Sequence, residues 1–147
     1  MSDTVSVERV IPAPPEKIFD LLADPTRHKD IDGSGSLVEA KRPAGRLTLG
    51  DTFGMAMKMG VPYTMVSTII ELEENRRIAW QTRSRGGRTG GRIWRYELEP
   101  VGTGTRVRET WDITQESAFT KPLVKMGAKK TASSMEKTLA RIEELLT

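Results

Sequence analysis

The sequence predicts an α+β fold, a curved seven-stranded antiparallel sheet wrapped around one long C-terminal helix, with two short helices after the first strand. Three observations carry this. Between residues 37 and 114, short apolar stretches alternate with breaks at Asn75, Gly86-Gly87, Gly90-Gly91 and Gly102. No helical period intervenes, which argues for an antiparallel meander rather than βαβ units. Near the C-terminus, Val124, Ala128, Thr131, Met135, Leu139, Ile142 and Leu146 recur in steps of four and three, the pattern of one helix face. With 147 residues the chain suits one domain, 1–147, and no repeat or linker divides it.

The elements follow in order. Residues 3–11 carry Val5, Val7 and Ile11 at alternate positions, with Val10 out of step, and read as a strand. Pro12, Pro14 and Pro15 stop it. Proline is tolerated in the first helical turn and Glu16 suits the positive helix end. Ile18, Phe19, Leu21 and Leu22 then give a short amphipathic helix over 15–23. Asp24-Pro25 closes that helix, because the residue before proline avoids the α region. Residues 25–31 suit one more helical turn, and Asp32 to Ser36 form a flexible loop. Strands are predicted over 37–42, 51–59, 63–73, 77–84, 91–99 and 104–114. The last helix is predicted over 121–146, with Pro122 in its first turn. It would be about 38 Å long at 1.5 Å per residue, enough to cross the domain.

Composition removes several function classes. Hydrophobic residues make up 37% and charged residues 29%, ordinary for a soluble globular chain. No apolar run approaches the roughly 20 residues needed to span a bilayer, so no stable membrane insertion is expected. The opening MSDTVSVERV lacks the basic and apolar regions of a secretory leader, and a cytoplasmic protein is expected. There is no cysteine and one histidine, which removes thiolate chemistry and argues against a His-based metal site; neither metal nor cofactor is expected. The formal charge of +3 is spread out. The densest basic stretch, Arg83 to Arg92, holds no aromatic, unlike a nucleic-acid-binding stripe.

A long antiparallel sheet must twist and curl, and the only long amphipathic element able to cover its hollow is the last helix. The second half of that helix presents Met135, Leu139, Ile142 and Leu146, which fill space. Its first half presents Ala128 and Thr131, flanked by Gly127 and Ala132, which do not. Either large sheet side chains close the remainder, giving a solid core, or a ligand occupies it in a mostly apolar pocket.

Four stretches, VERVIPAPPEKIFDLLADPTRH, RRIAWQTRS, RIWRYELEPVGTGTRVRETWDI and the closing helix, stand in an order that resembles the polyketide cyclase/dehydrase-like branch of the START/Bet v 1-like (SRPBCC) superfamily. The resemblance covers nearly the whole chain. It implies a helix-grip fold with a deep pocket between sheet and helix, in a superfamily whose members bind lipids, sterols and polyketides. Some are aromatase/cyclases and some are co-chaperones, so fold alone does not fix chemistry. One departure is the lack of a tryptophan after the ADP motif. Lys29 to Asp32 and a Gly/Ser stretch stand there instead, which implies a more open loop at that end.

Candidate site residues follow from strand alternation. Val107, Glu109 and Trp111 share one side of RVRETWDI, facing the expected pocket, with Arg106, Arg108, Thr110 and Asp112 outward. A buried carboxylate is costly unless paired or protonated. Glu109 is therefore either half of an ion pair with a neighbouring arginine, or a ligand-binding or acid–base group. Trp80, Trp94 and Tyr96 supply aromatic area for a flat ligand or for the core, and the Tyr96 hydroxyl needs a partner when buried. Phe53, Met55, Met57 and Met59 alternate along one strand, with Met65 on the next, a stripe suited to an adaptable apolar wall or to plain core. From the helix, Ala128, Thr131 and Met135 complete the candidate wall. His28 lies among Arg27, Lys29 and Asp30, a composition typical of an exposed turn. The segment Ser84 to Arg92 lacks a phosphate-loop ending and reads as a mobile hairpin or a basic lid.

The expected function is binding of an apolar small molecule, a lipid, polyketide or aromatic metabolite, by a monomer or homodimer. The alternatives are a cyclase, aromatase or dehydratase using Glu109 and Tyr96 as catalytic residues, and a co-chaperone-like interaction protein.

Overall fold

A computed structural model of the chain describes residues 3–34, 37–41, 46–84 and 86–147, with the backbone alone for 37–41 and Met59. The predicted positions 35, 36, 42 and 85, and the Met59 side chain, lie outside the described residues.

The element order is β1 (Thr4–Ile11), α1 (Pro15–Leu22), a 3₁₀ turn (Pro25–Arg27), α2 (His28–Ile31), β2 (Leu37–Lys41), β3 (Thr52–Met59), β4 (Val61–Glu73), β5 (Arg77–Ser84), β6 (Gly90–Val101), β7 (Gly104–Asp112), α3 (Lys121–Met126) and α4 (Ala128–Leu146). The strands form one antiparallel sheet in the order β1-β7-β6-β5-β4-β3-β2. The first two strands therefore stand at opposite edges, and the chain must cross the mouth of the curl between them. That crossing is made by α1, the 3₁₀ turn and α2. In α1, Pro15 begins the helix and Ile18, Phe19, Leu21 and Leu22 are buried. Asp24 caps the next turn, its Oδ1 accepting from the Thr26 backbone N–H at 3.0 Å.

Register shifts between Ile69 and Glu71 on β4, and between Thr82 and Arg83 on β5, are local irregularities of the kind that bend a sheet. The outward face carries ion pairs, as the alternation predicts. Arg95 donates to both carboxylate oxygens of Glu71 at 2.8 and 2.6 Å, and Arg77 reaches Glu97 at 3.2 Å. Inward, Ile11, Ile18, Phe19, Leu22, Ile78, Val107, Leu139 and Ile142 form the main core, with α4 lying chiefly along β1.

The single helix predicted over 121–146 is two helices. Gly127, at φ −87° and ψ 8°, both ends α3 and begins α4. Its N–H turns back to the Val124 carbonyl at 3.0 Å. Glycine is a poor helix former because its backbone has most freedom to lose, and the apolar periodicity that runs through it concealed the break.

Candidate functional site: a cavity beneath the C-terminal helix

A cavity of about 320 Å³ lies between the inner sheet face and the first half of α4. The sheet contributes Met55 and Met57 from β3, Tyr63 and Met65 from β4, Trp80 and Thr82 from β5, Arg92, Trp94 and Tyr96 from β6, and Glu109 from β7. Gly127, Lys130, Thr131, Ser134, Met135 and Thr138 form the helical wall, and His28, Ile31 and Asp32 close one side, with Ser34 at its rim. Ser34, Tyr63 and Lys130 are the exposed members of this lining and mark the mouth.

Of the residues singled out in the sequence, Met55, Met57, Trp80, Trp94, Tyr96, Glu109, Thr131 and Met135 line the cavity. Phe53, Val107, Trp111 and Ala128 do not, and each has a packing reason. Phe53 meets Trp80 edge-on at 6.0 Å and His28 at 5.4 Å, so it backs the rings that face the cavity. Val107 is fully buried in the main core. Trp111 packs with Ile113, Ala128 and Met135. Ala128, the small first residue of α4, is thus taken up in this packed cluster, while Gly127 before it and Thr131 after it line the hollow.

His28 corrects the expectation of an exposed turn. It is 5% exposed, because the one-turn helix α2 directs His28 and Ile31 inward while Arg27, Lys29 and Asp30 face water. Its Nε2 lies 2.8 Å from the Leu22 carbonyl oxygen, and its ring stacks on Trp80 at 4.8 Å and 21°. Burial lowers its pKa, an effect only partly opposed by the Leu22 carbonyl and the Asp24 and Asp32 charges. The neutral ring therefore favours the native state at neutral pH, and this contribution is lost as pH falls below the ordinary value of 6.5.

Two carboxylates line the cavity, Asp32 and Glu109, and of these Glu109 is the buried one. It is 2% exposed, and no cation pairs with it among the described residues, so the ion-pair reading fails. Its Oε1 is buried with no hydrogen-bond partner. Burial pushes the carboxyl up to about 8; Tyr96, its direct cross-strand neighbour, works against this shift and the Asp32 charge adds to it. Burial first, then the Glu109 charge, raises the Tyr96 hydroxyl well above its usual range. Both groups are thus predominantly protonated near neutral pH, side by side in an apolar hollow.

The loop from Asp32 to Ser34 is held against α4 rather than standing open. The Gly33 N–H donates to Thr138 Oγ1 at 2.9 Å, and a Cβ at Gly33 would run into the Ser134 carbonyl oxygen and stand 2.7 Å from Lys137 Cβ and the Thr138 nitrogen. Only glycine allows the loop to sit this close to α4. Gly33→Ala is expected to cost about 2 kcal/mol through overpacking, read as a lower urea midpoint at unchanged slope. Sequence reasoning missed Gly33, Asp32, Ser134 and Thr138 because polar and small residues give no periodic signal of a wall.

A curved antiparallel sheet, closed by a C-terminal helix over a mostly apolar hollow with one buried acid, defines a cavity-forming α+β domain. The chain belongs to the family described as polyketide cyclase/dehydrase and lipid transport, which matches residues 2–147. It is 32% identical over 140 residues to the uncharacterized protein Rv0088 of Mycobacterium tuberculosis, covering 91% of this chain but only 60% of that protein's length. Among solved structures it is similar to protein CV1439 from Chromobacterium violaceum, with TM-score 0.71 and 17% identity over 99% and 98% of the two chains. It is also similar to the Aha1 dimer from Colwellia psychrerythraea, with TM-score 0.67 and 19% identity over 99% and 96%. At these identities the structural likenesses speak for the fold alone. No helix among the described residues is long and apolar enough to cross a membrane.

Proposed function

We propose that the chain binds an apolar small molecule carrying a carbonyl or hydroxyl group, with Glu109 in its protonated form as the anchor. The observation that supports this most is the unpartnered Oε1 of Glu109 in a mostly apolar hollow, whose wall is largely methionine, aromatic and small helix residues and whose other charged members are Asp32, Arg92 and Lys130. A buried polar atom without a partner costs about 1–3 kcal/mol, which a ligand oxygen would recover. Met55, Met57 and Met65 give an adaptable wall, and the Trp80 ring, backed by His28, offers a flat one. The family's description, cyclase/dehydrase and lipid transport, fits a guest of this class.

Nile red, an apolar dye with a carbonyl acceptor, tests the reading. Saturable binding is expected near pH 7, weakened about tenfold in Glu109→Leu, the equivalent of one lost hydrogen bond. A protein that shows no saturable dye binding and carries no co-purified molecule in native mass spectrometry would refute it.

A second reading is favoured by the carboxyl value of about 8, which lies close to the working pH of a general acid or base. On this reading Glu109 moves a proton in a cyclisation or dehydration while Tyr96 donates to the developing oxyanion. Dehydration of a β-hydroxyketone, with a rate following one ionisation near pH 8 and abolished in Glu109→Gln, would support it.

A further inference from the structure

Away from the cavity, the three most exposed large apolar side chains of the described residues gather on one short stretch. Phe119 is 87% exposed, Leu123 73% and Met126 81%, at helical steps of four and three. Helix α3 buries no residue, and its other side faces the body. Lys121 and Lys125 both pair with Asp3, at 2.7 and 3.0 Å, and Val124 packs against the cluster of Trp111, Ile113, Ala128 and Met135. The usual amphipathic arrangement is inverted, with cations held toward the protein and apolar groups turned to water.

Apart from Asp3, which neutralises part of the charge of Lys121 and Lys125, the stretch is basic. From Ser117 to Met135 the chain has four lysines, Lys121, Lys125, Lys129 and Lys130, and no aspartate or glutamate. Lys129 and Lys130 are exposed and make no ion pair among the described residues. The β5–β6 hairpin is tied to the start of the stretch, the Ser117 N–H donating to the Gly90 carbonyl at 2.7 Å, and it carries the exposed Arg88. Gly127 and Lys130 belong to the cavity lining, so the apolar tip stands beside the cavity mouth.

We infer that this face docks the protein on an anionic lipid bilayer, with Phe119, Leu123 and Met126 entering the interface and Lys129 and Lys130 resting on the head groups. A basic rim around an apolar tip complements a negative surface. It does not complement itself, because a twofold contact between two copies would set lysines against lysines. Docked in this way, the mouth faces the bilayer and an apolar guest passes between membrane and cavity without crossing water.

Co-sedimentation with vesicles of equal parts phosphatidylglycerol and phosphatidylcholine tests this, with vesicles of phosphatidylcholine alone as the comparison. The wild-type protein is expected to favour the anionic vesicles at least about tenfold and to be released by high salt. The triple variant Phe119→Ser, Leu123→Ser, Met126→Ser should lose at least about tenfold in vesicle affinity, and the double variant Lys129→Glu, Lys130→Glu a comparable amount. In vesicle-free buffer the triple variant should keep full Nile red binding, which separates this inference from the ligand reading. Wild-type protein that stays in the supernatant, or a triple variant that sediments as well as wild type, would overturn it. So would a concentration-dependent dimer abolished by the triple variant, which would assign the face to a second copy.

Discussion

Glu109→Gln is expected to stabilise the protein by on the order of 4 kcal/mol at about pH 9 while changing it little at about pH 5. In the native state the carboxyl titrates near 8 against an ordinary value of 4.5. Between these values the folded protein holds a proton that the unfolded chain has shed, so wild-type stability falls as pH rises through the window. Below 4.5 both states are protonated and there is no penalty. Above 8 the full cost of a buried, unpaired carboxylate is present. Glutamine has nearly the same shape, cannot ionise, and removes the alkaline loss. Urea unfolding of both proteins across this range would check it, and parallel pH profiles for the two would contradict the burial account. Because His28 gives the opposite dependence below 6.5, the two effects oppose one another between 4.5 and 6.5, and the net alkaline loss should appear above 6.5.

Thr131→Trp is expected to weaken Nile red binding at least about a hundredfold with little loss of stability. Thr131 is half-buried on the helical wall of the cavity, where the side chain is small and the space beyond it is not filled by protein. An indole there would occupy the guest's place. Overpacking is destabilising in a filled core, but this site has room, so the unfolding midpoint should hold or rise. Glu136→Trp, on the exposed side of the same helix, is the control and should bind dye normally. Undiminished binding in Thr131→Trp would mean that the dye enters elsewhere.

The fold was largely legible in the sequence because its elements declare themselves locally. Period-two apolar runs between glycine breaks mark strands, and the Val124 to Leu146 periodicity marks a helix face that must be buried. The inward placement of Glu109 was legible for the same reason, since it alternates with Val107 and Trp111. The break at Gly127 was not, because periodicity is continuous across it. The inward turn of His28 was also hidden. Its neighbours are charged, and only the packing of α2 against Phe53 and Trp80 decides which way the ring points.

What the sequence by itself determined is which residues face the sheet interior and which helix covers them, since side-chain alternation is a property of the backbone. Which of those inward residues fill space and which bound a hollow was decided only in three dimensions. Trp111 and Ala128 join one packed cluster, while Thr131, Ser134, Tyr96 and Glu109 line the hollow together. That outcome depends on the volumes of side chains brought together from distant strands, and no local pattern records their sum.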